Sequence, residues 1–153
     1  MCRLICQIFF QTGKILSSSN SLFERVGGLP FFEQLVDRFY EGVVVDPVLI
    51  VLYAEPNDLE KARLHLTWFL AQYWGGPPMF NENRGDPKLR MRHMTFRIGP
   101  VERDQWLFHM LTAVDELSQD ELIRQELTDY FVKAAEHLRN DTGLPISSAE
   151  YPR

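Results

Sequence analysis

His93 is the residue whose type and surroundings most strongly suggest chemistry. It lies within the segment Lys88–Ile98, between the helix breakers Gly85-Asp86-Pro87 and Gly99-Pro100. This pattern predicts one or two helical turns, and an isolated helix shorter than about 12–15 residues is marginal in water. The segment therefore needs an outside attachment, which a bond from the His93 imidazole to a metal ion would supply. The alternative is a core histidine whose ring bonds to a backbone carbonyl.

Positive charge is concentrated around this histidine. The net charge of the whole chain is −5 and its pI is near 5.4, which argues against a nucleic-acid or anionic-membrane surface. The local cluster is either a solvated face or a site for the carboxylates of a ligand. Its members are Arg84, Lys88, Arg90, Arg92 and Arg97.

Other metal and catalytic motifs are absent from the sequence. No histidine has a glutamate three residues before it, which excludes the Glu-x-x-His pattern of di-iron carboxylate bundles. There is no His-Glu-x-x-His motif or paired-cysteine motif for zinc. There is also no Gly-x-Ser-x-Gly motif for nucleophilic catalysis. The remaining histidines, His65, His109 and His137, are interpreted as surface or incidental core residues.

The chemistry that remains is a haem site with a single histidine. Haem needs one axial imidazole, an apolar slot and cations near its propionates. His93 could supply the imidazole, and Lys88, Arg90 and Arg92 could supply the cations. Apolar helix faces are more often plain core, so a haem-free helical module that binds a partner protein stays open as an alternative.

Hydrophobic spacing predicts an all-α protein with four long helices. Residues Gly75–Pro87 are predicted to be a long loop, and periodicity leaves the type of Val48–Tyr53 undecided. The helix boundaries follow from caps and breakers. The first helix runs from Pro30 to Asp46-Pro47, and the second from Asn57-Asp58 to Gly75-Gly76. The third runs from Pro100 to Leu117, and the fourth from the capping box Ser118-Gln119-Asp120-Glu121 to Leu138.

The chain divides into a helical domain (21–140) with an extension at each end. We expect the N-terminal extension (1–20) to be disordered, and residues 141–153 form a C-terminal tail. Both cysteines, Cys2 and Cys6, lie in the first extension. Because this pattern fits neither a disulfide framework nor a four-ligand zinc site, the expected location is a reducing cytoplasm. The apolar run Leu4–Phe10 is too short to cross a bilayer.

Five motifs occur in the order and spacing of group II truncated haemoglobins. They are Phe39-Tyr40, Gln72-Tyr73-Trp74-Gly75-Gly76-Pro77, Arg84-Gly85, Arg90-Met91-Arg92-His93 and Glu102-Arg103-Asp104-Gln105-Trp106-Leu107. The chain resembles the actinobacterial members in particular, from about Leu22 to Asn140. The resemblance implies a globin-like two-over-two helical sandwich that encloses one haem b, with His93 as the proximal ligand of the iron.

The resemblance also implies roles for residues around the haem. Tyr40 and Trp106 would donate hydrogen bonds to the bound ligand, and Tyr53 would be a third polar aromatic; these three are the candidate catalytic residues. Ala62 would take the place of the distal histidine of many globins. The other candidate contacts to the cofactor are Lys88, Arg90, Arg92, Phe39, Leu66, Phe69, Phe96, Ile98 and Met110.

The implied function is the binding of small ligands at a five-coordinate haem iron. The expected ligands are O2, NO, CO and peroxide, for NO dioxygenation, peroxidase-like turnover, or O2 binding and transport. A reductase would return the iron to Fe(II). The chain could also form a homodimer. The haem-free interaction module would explain the apolar stripes but not the cationic turn at His93.

Overall fold

The computed structural model describes residues 20–53 and 59–141 of the 153-residue chain. Within these ranges the chain forms α-helices and one short 3-10 helix (η1), with no strand, so the all-α prediction is confirmed. The predicted cap Asn57-Asp58 and nearly all of both extensions lie outside the described residues. The elements are α1 (Leu22–Arg25), α2 (Leu29–Val45), η1 (Ile50–Leu52), α3 (Leu59–Tyr73), α4 (Met79–Arg84), α5 (Leu89–His93), α6 (Pro100–Leu117) and α7 (Glu121–Leu138).

Helix α2 is the centre of the packing. Its first turn contains Pro30, which is favourable because proline has no N–H to leave unpaired and its φ is already helical. The helix packs against α3 and against α6, and α6 in turn packs against α7, which builds the two-over-two sandwich. Full burial stabilises each large apolar side chain by about 1.5–3 kcal/mol. The fully buried residues of α2 follow helical spacing: Phe32, Leu35, Val36, Phe39 and Val43.

The crossing of α2 and α6 is close at Gly42. A Cβ atom at this position would lie 2.2 Å from Nδ1 of His109 on α6. His109 Nε2 also lies 2.8 Å from Oδ2 of the buried Asp46. The other carboxylate oxygen of Asp46 accepts hydrogen bonds from the amides of Val48 and Leu49, at 2.8 and 3.2 Å. These bonds fix the chain between α2 and η1.

The start of α7 differs from the prediction. Asp120 is the N-cap, because its carboxylate accepts hydrogen bonds from the amides of Leu122 and Ile123, at 2.8 and 3.3 Å. Ser118 is instead the C-cap of α6, and its amide bonds to the Val114 carbonyl. That amide is therefore not available to a capping box, so the prediction of Ser118 as the cap was wrong.

The predicted loop between Gly75 and Pro87 contains helix α4. Phe80 anchors this helix, since it is buried and its ring centroid lies 5.7 Å from that of Phe69. Six residues are too few to show helical periodicity in a sequence. In the part of the chain that the structure describes, none of the helices combines the length and the apolar character that a bilayer span requires.

Candidate functional site

The described residues surround a cavity of about 430 Å³. This volume lies in the range of about 300–1,000 Å³ that is typical of small-molecule and cofactor sites. Most of the lining is apolar and comes from α3, η1, α7 and the turn after α5. The lining residues with polar or charged groups are Tyr40, Tyr53, His65, Arg84, Arg92, His93, Glu102, Arg103, Trp106 and Tyr130.

His93 is the last residue of α5 and lines this cavity. Its Nδ1 lies 2.6 Å from the Leu89 carbonyl oxygen one turn earlier. Because a carbonyl can only accept a hydrogen bond, the ring proton is on Nδ1 and the lone pair is on Nε2. Histidines that ligate metals usually carry such a bond, which fixes both the tautomer and the ring orientation. The carbonyl bond anticipated for a core histidine is thus present, and it leaves Nε2 available as a ligand.

Arg92 holds the loop that precedes α5. Its Nε donates to the Pro87 carbonyl at 2.7 Å, and its Nη2 donates to the carbonyls of Arg84 and Asp86 at 2.8 and 3.2 Å. The guanidinium carbon also lies 5.6 Å from the ring centroid of Phe80. Arg92 lines the cavity as expected from the sequence, but most of its donors are already used by the backbone.

The other predicted cations near His93 lie farther from the cavity. Lys88 caps α5 in the left-handed region, at φ 40°, and both Lys88 and Arg90 are exposed. Neither is among the residues that line the cavity. Arg84 and Arg103 do line it. Arg103 is paired with Asp104 at 2.7 Å and with Glu136, so Arg84 is the more available cation.

Tyr40, Tyr53 and Trp106 all line the cavity. The Tyr53 hydroxyl donates to the Tyr40 hydroxyl at 3.3 Å, and the two ring centroids are 5.8 Å apart. Burial raises the pKa of Tyr40, and it also raises the pKa of Tyr53. Both hydroxyls therefore keep their protons at neutral pH. A tyrosine hydroxyl can both donate and accept, so with Tyr53 as the donor the Tyr40 proton remains for another acceptor.

The indole of Trp106 is held by two phenyl rings. Its ring centroid lies 5.3 Å from that of Phe39 and 5.8 Å from that of Phe131. Neither phenyl ring offers a conventional hydrogen-bond acceptor, and an indole N–H can only donate. Phe39 also packs edge-on against Tyr40, at 5.0 Å between centroids. It therefore positions two of the candidate donors at once.

The remaining sequence-predicted site residues fall into two groups. Phe39 and Met110 are fully buried and do not line the cavity. Phe39 supports its wall through its ring contacts with Tyr40 and Trp106. The predicted residues that line the cavity, besides the polar ones above, are Ala62, Leu66, Phe69, Phe96 and Ile98.

Several lining residues were not among the predictions. His65 was set aside as a surface or core histidine, but it lines the cavity one turn after Lys61. Glu102 and Arg103 lie four and three residues before Trp106, so the helical period could have placed them on the same face. Tyr130, Phe131 and Leu138 lie on α7, where the sequence predicted a helix but no site residue.

The arrangement fits a haem. It offers the His93 imidazole with Nε2 not used by the bond to Leu89, apolar walls, an arginine at the margin for carboxylates, and donor side chains for a small ligand. Within the described residues there is no cluster of three or more histidine, cysteine or acidic side chains that could hold a bare metal ion. Ligation by His93 is therefore consistent with an iron whose other ligands come from a porphyrin.

Comparison with known proteins agrees with this assignment. Residues 21–140 match the sequence profile of the bacterial-like globins. The chain belongs to this globin family. It is 38% identical over 125 residues to Group 2 truncated hemoglobin YjbI of Bacillus subtilis, across 82% of this chain and 92% of the relative. The predicted resemblance to group II truncated haemoglobins is confirmed.

Solved structures of globins share the fold. A thermostable haemoglobin from the actinobacterium Thermobifida fusca is 50% identical with a TM-score of 0.77, covering 79% of this chain and 98% of that one. A truncated oxygen-avid haemoglobin from Bacillus subtilis is 37% identical with a TM-score of 0.73, covering 79% and 100%. Membership of the globin family implies haem as the cofactor and small gaseous molecules as ligands, and it does not favour the haem-free interaction module.

Proposed function

We propose that this globin binds one haem b through His93 Nε2 and uses Tyr40, Tyr53 and Trp106 to hold O2, NO or peroxide for redox chemistry. The observation that carries this proposal is the bond between His93 Nδ1 and the Leu89 carbonyl in the wall of a cavity that also contains the three donors. When bound, haem supplies an iron centre that takes up diatomic ligands and exchanges electrons.

The residues of the chain supply position, polarity and exclusion of water. The bond to Leu89 fixes the tautomer and the ring orientation of His93. Arg84 would attract the propionate carboxylates, since a guanidinium matches a carboxylate in geometry and charge. The apolar side chains from α3 and α7 exclude water, which strengthens every hydrogen bond in the cavity.

The number of hydrogen-bond donors around the ligand favours redox chemistry over the delivery of O2. A hydrogen bond to a charged acceptor contributes about 1.5–3 kcal/mol, so two donors aimed at a ligand that gains negative charge would slow its release considerably. The name of one structural neighbour describes that Bacillus protein as oxygen-avid, which is consistent with this reasoning. NO dioxygenation and peroxidase-like turnover are the proposed reactions. The reductase, a homodimer and the cytoplasmic location stay predictions.

An absorption spectrum tests the proposed cofactor and its ligand. We expect the purified protein, reconstituted with haem, to show a strong Soret band that shifts when CO is added after dithionite. The band should be lost or strongly weakened in His93→Ala. His137→Ala is the matched control, because His137 lies near the end of α7 and does not line the cavity. A protein that stays colourless when haem is added would contradict the proposal, as would a His93→Ala variant with an unchanged spectrum.

A further inference from the structure

Helix α5, which carries His93, is not held in place by burial of its own residues. It has five residues and none of them is buried. Its N-cap, Lys88, is in the left-handed region, which is unfavourable for a residue with a Cβ. A helix this short is not stable by itself. Hydrogen bonds from other parts of the chain must therefore decide where the His93 ring lies.

On the N-terminal side of α5 the hydrogen bonds are local. Arg92 donates to the carbonyls of Arg84, Asp86 and Pro87, all within eight residues of it in the sequence. These bonds order the loop before α5. They do not attach α5 to one of the long helices.

On the C-terminal side a single side chain spans the whole turn. Asn140 Nδ2 donates to the Phe96 carbonyl at 2.7 Å and to the His93 carbonyl at 3.2 Å. Its Oδ1 accepts from the Ile98 amide at 2.9 Å. The backbone amides of Asn140 and Asp141 both donate to the Ile98 carbonyl, at 3.0 and 3.1 Å.

Asn140 is the second residue after α7, which ends at Leu138 and is packed into the core. Leu127, Phe131 and Ala135 of that helix are buried. The turn from His93 to Ile98 is thereby attached to a helix that packs into the core. A primary amide is needed for this pattern, because it carries two N–H donors and a carbonyl acceptor, whereas a carboxylate has no donor.

We propose that Asn140 is a positioning residue for His93, which fixes the place of the imidazole by tying the His93 and Phe96 carbonyls to the end of α7. The connection is continuous: the ring is fixed to α5 through Leu89, α5 is fixed to Asn140 through the His93 carbonyl, and Asn140 is fixed to α7. This inference rests on the proposed role of His93 as the iron ligand. The histidine is then pre-organised before haem arrives, so less order has to be created on binding.

The test compares Asn140→Asp with Asn83→Asp in the haem-loaded protein. Asn140→Asp keeps the acceptor for the Ile98 amide and loses both donations. Asn83→Asp is the matched control: it makes the same change of charge and also removes a donation to a carbonyl, here Met79 at 2.7 Å. The readouts are the iron–histidine stretching band in the resonance Raman spectrum of the ferrous protein and the rate of haem transfer to excess haem-free myoglobin.

We expect Asn140→Asp to shift or split the iron–histidine band and to speed haem transfer about tenfold, which corresponds to 1.4 kcal/mol. Asn83→Asp should match the wild type in both. A folded Asn140→Asp protein with the wild-type band and transfer rate would overturn the proposal. If this variant does not fold, Asn140→Gln is measured in the same way, because its amide lies one methylene farther out. A wild-type band and transfer rate in Asn140→Gln would then overturn the proposal.

The two proposals fail in different ways. If His93→Ala keeps the iron–histidine band, His93 is not the ligand and the proposed function fails. If His93→Ala loses the band while Asn140→Asp leaves it unchanged, the ligand is correct and only the positioning role of Asn140 is wrong.

Discussion

The hydroxyl group of Tyr53 donates a hydrogen bond to the hydroxyl group of Tyr40 across 3.3 Å. Tyr40 comes from α2 and Tyr53 from the end of η1, so two elements with different attachments meet at this bond. Its direction matters for function. When Tyr53 is the donor in this bond, the Tyr40 proton is the one available to a ligand in the cavity.

Removing the Tyr53 hydroxyl should affect ligand release less than removing the Tyr40 hydroxyl. In Tyr40→Phe the direct donor is lost, and we expect O2 to dissociate at least tenfold faster, from about 1.5–3 kcal/mol for a bond to a charged acceptor. In Tyr53→Phe the direct donor remains. Stopped-flow O2 displacement by CO measures both rates. A larger effect from Tyr53→Phe would show that Tyr53, not Tyr40, is the direct donor.

Replacing Trp106 tests the second donor. We expect Trp106→Phe to speed O2 release by an order of magnitude or more, because it removes the indole N–H and keeps an aromatic ring against Phe39. Trp68→Phe is the control, since Trp68 packs near His65 on α3 and does not line the cavity. The measurement is again the O2 dissociation rate. An unchanged rate in Trp106→Phe would remove Trp106 from the mechanism.

The sequence predicts the long helices well because their core residues repeat with the helical period over four or five turns. Phe32, Phe39 and Val43 show this on α2. The resemblance likewise pointed to Tyr40, His93 and Trp106 through local motifs. These three positions depend on short stretches of chain, which a sequence displays directly.

What the sequence does not show depends on partners far apart in the chain. Asn140 lies 47 residues from His93, and Asp46 lies 63 residues from His109. No local pattern marks either pair, since an asparagine after a helix or an aspartate before a proline has an adequate local explanation. The short helix α4 is similar, because only the burial of Phe80 against Phe69 reveals it.

The buried Asp46 should make stability depend on pH. Burial alone would raise its pKa, but hydrogen bonds from His109 and from the amides of Val48 and Leu49 outweigh this and lower the pKa below the usual value. A group whose pKa is lowered in the folded state stabilises the protein above its unfolded pKa of about 3.9. That contribution is lost as the pH falls through the folded pKa.

The measurement is urea unfolding between pH 7 and pH 3. We expect Asp46→Asn to lower the free energy of unfolding at pH 7 and to make it less sensitive to acid below about pH 4. Asp129→Asn is the control, since Asp129 is exposed on α7 and receives one bond from Gln125. Equal acid sensitivity in Asp46→Asn and the wild type would mean that the pair of Asp46 and His109 does not contribute to the loss of stability at low pH.

Two opposing effects on the free energy of unfolding act at Gly42, which lies close to His109. Alanine is a better helix former than glycine by about 1 kcal/mol, which would favour Gly42→Ala. The added Cβ would lie 2.2 Å from His109 Nδ1, however, and overpacking of a tight contact costs about 1–3 kcal/mol. We expect Gly42→Ala to destabilise the protein, because His109 also gives up its bond to Asp46 if it moves aside.

A double-mutant cycle separates these contributions. His109→Ala removes the ring, so Gly42→Ala should be neutral or stabilising in that background, and the two changes should be strongly non-additive. Chemical denaturation of the four proteins at pH 7 provides the free energies of unfolding. If Gly42→Ala destabilises equally with and without the His109 ring, the cost comes from elsewhere on α2. The crossing of α2 and α6 would then be set by something other than this contact.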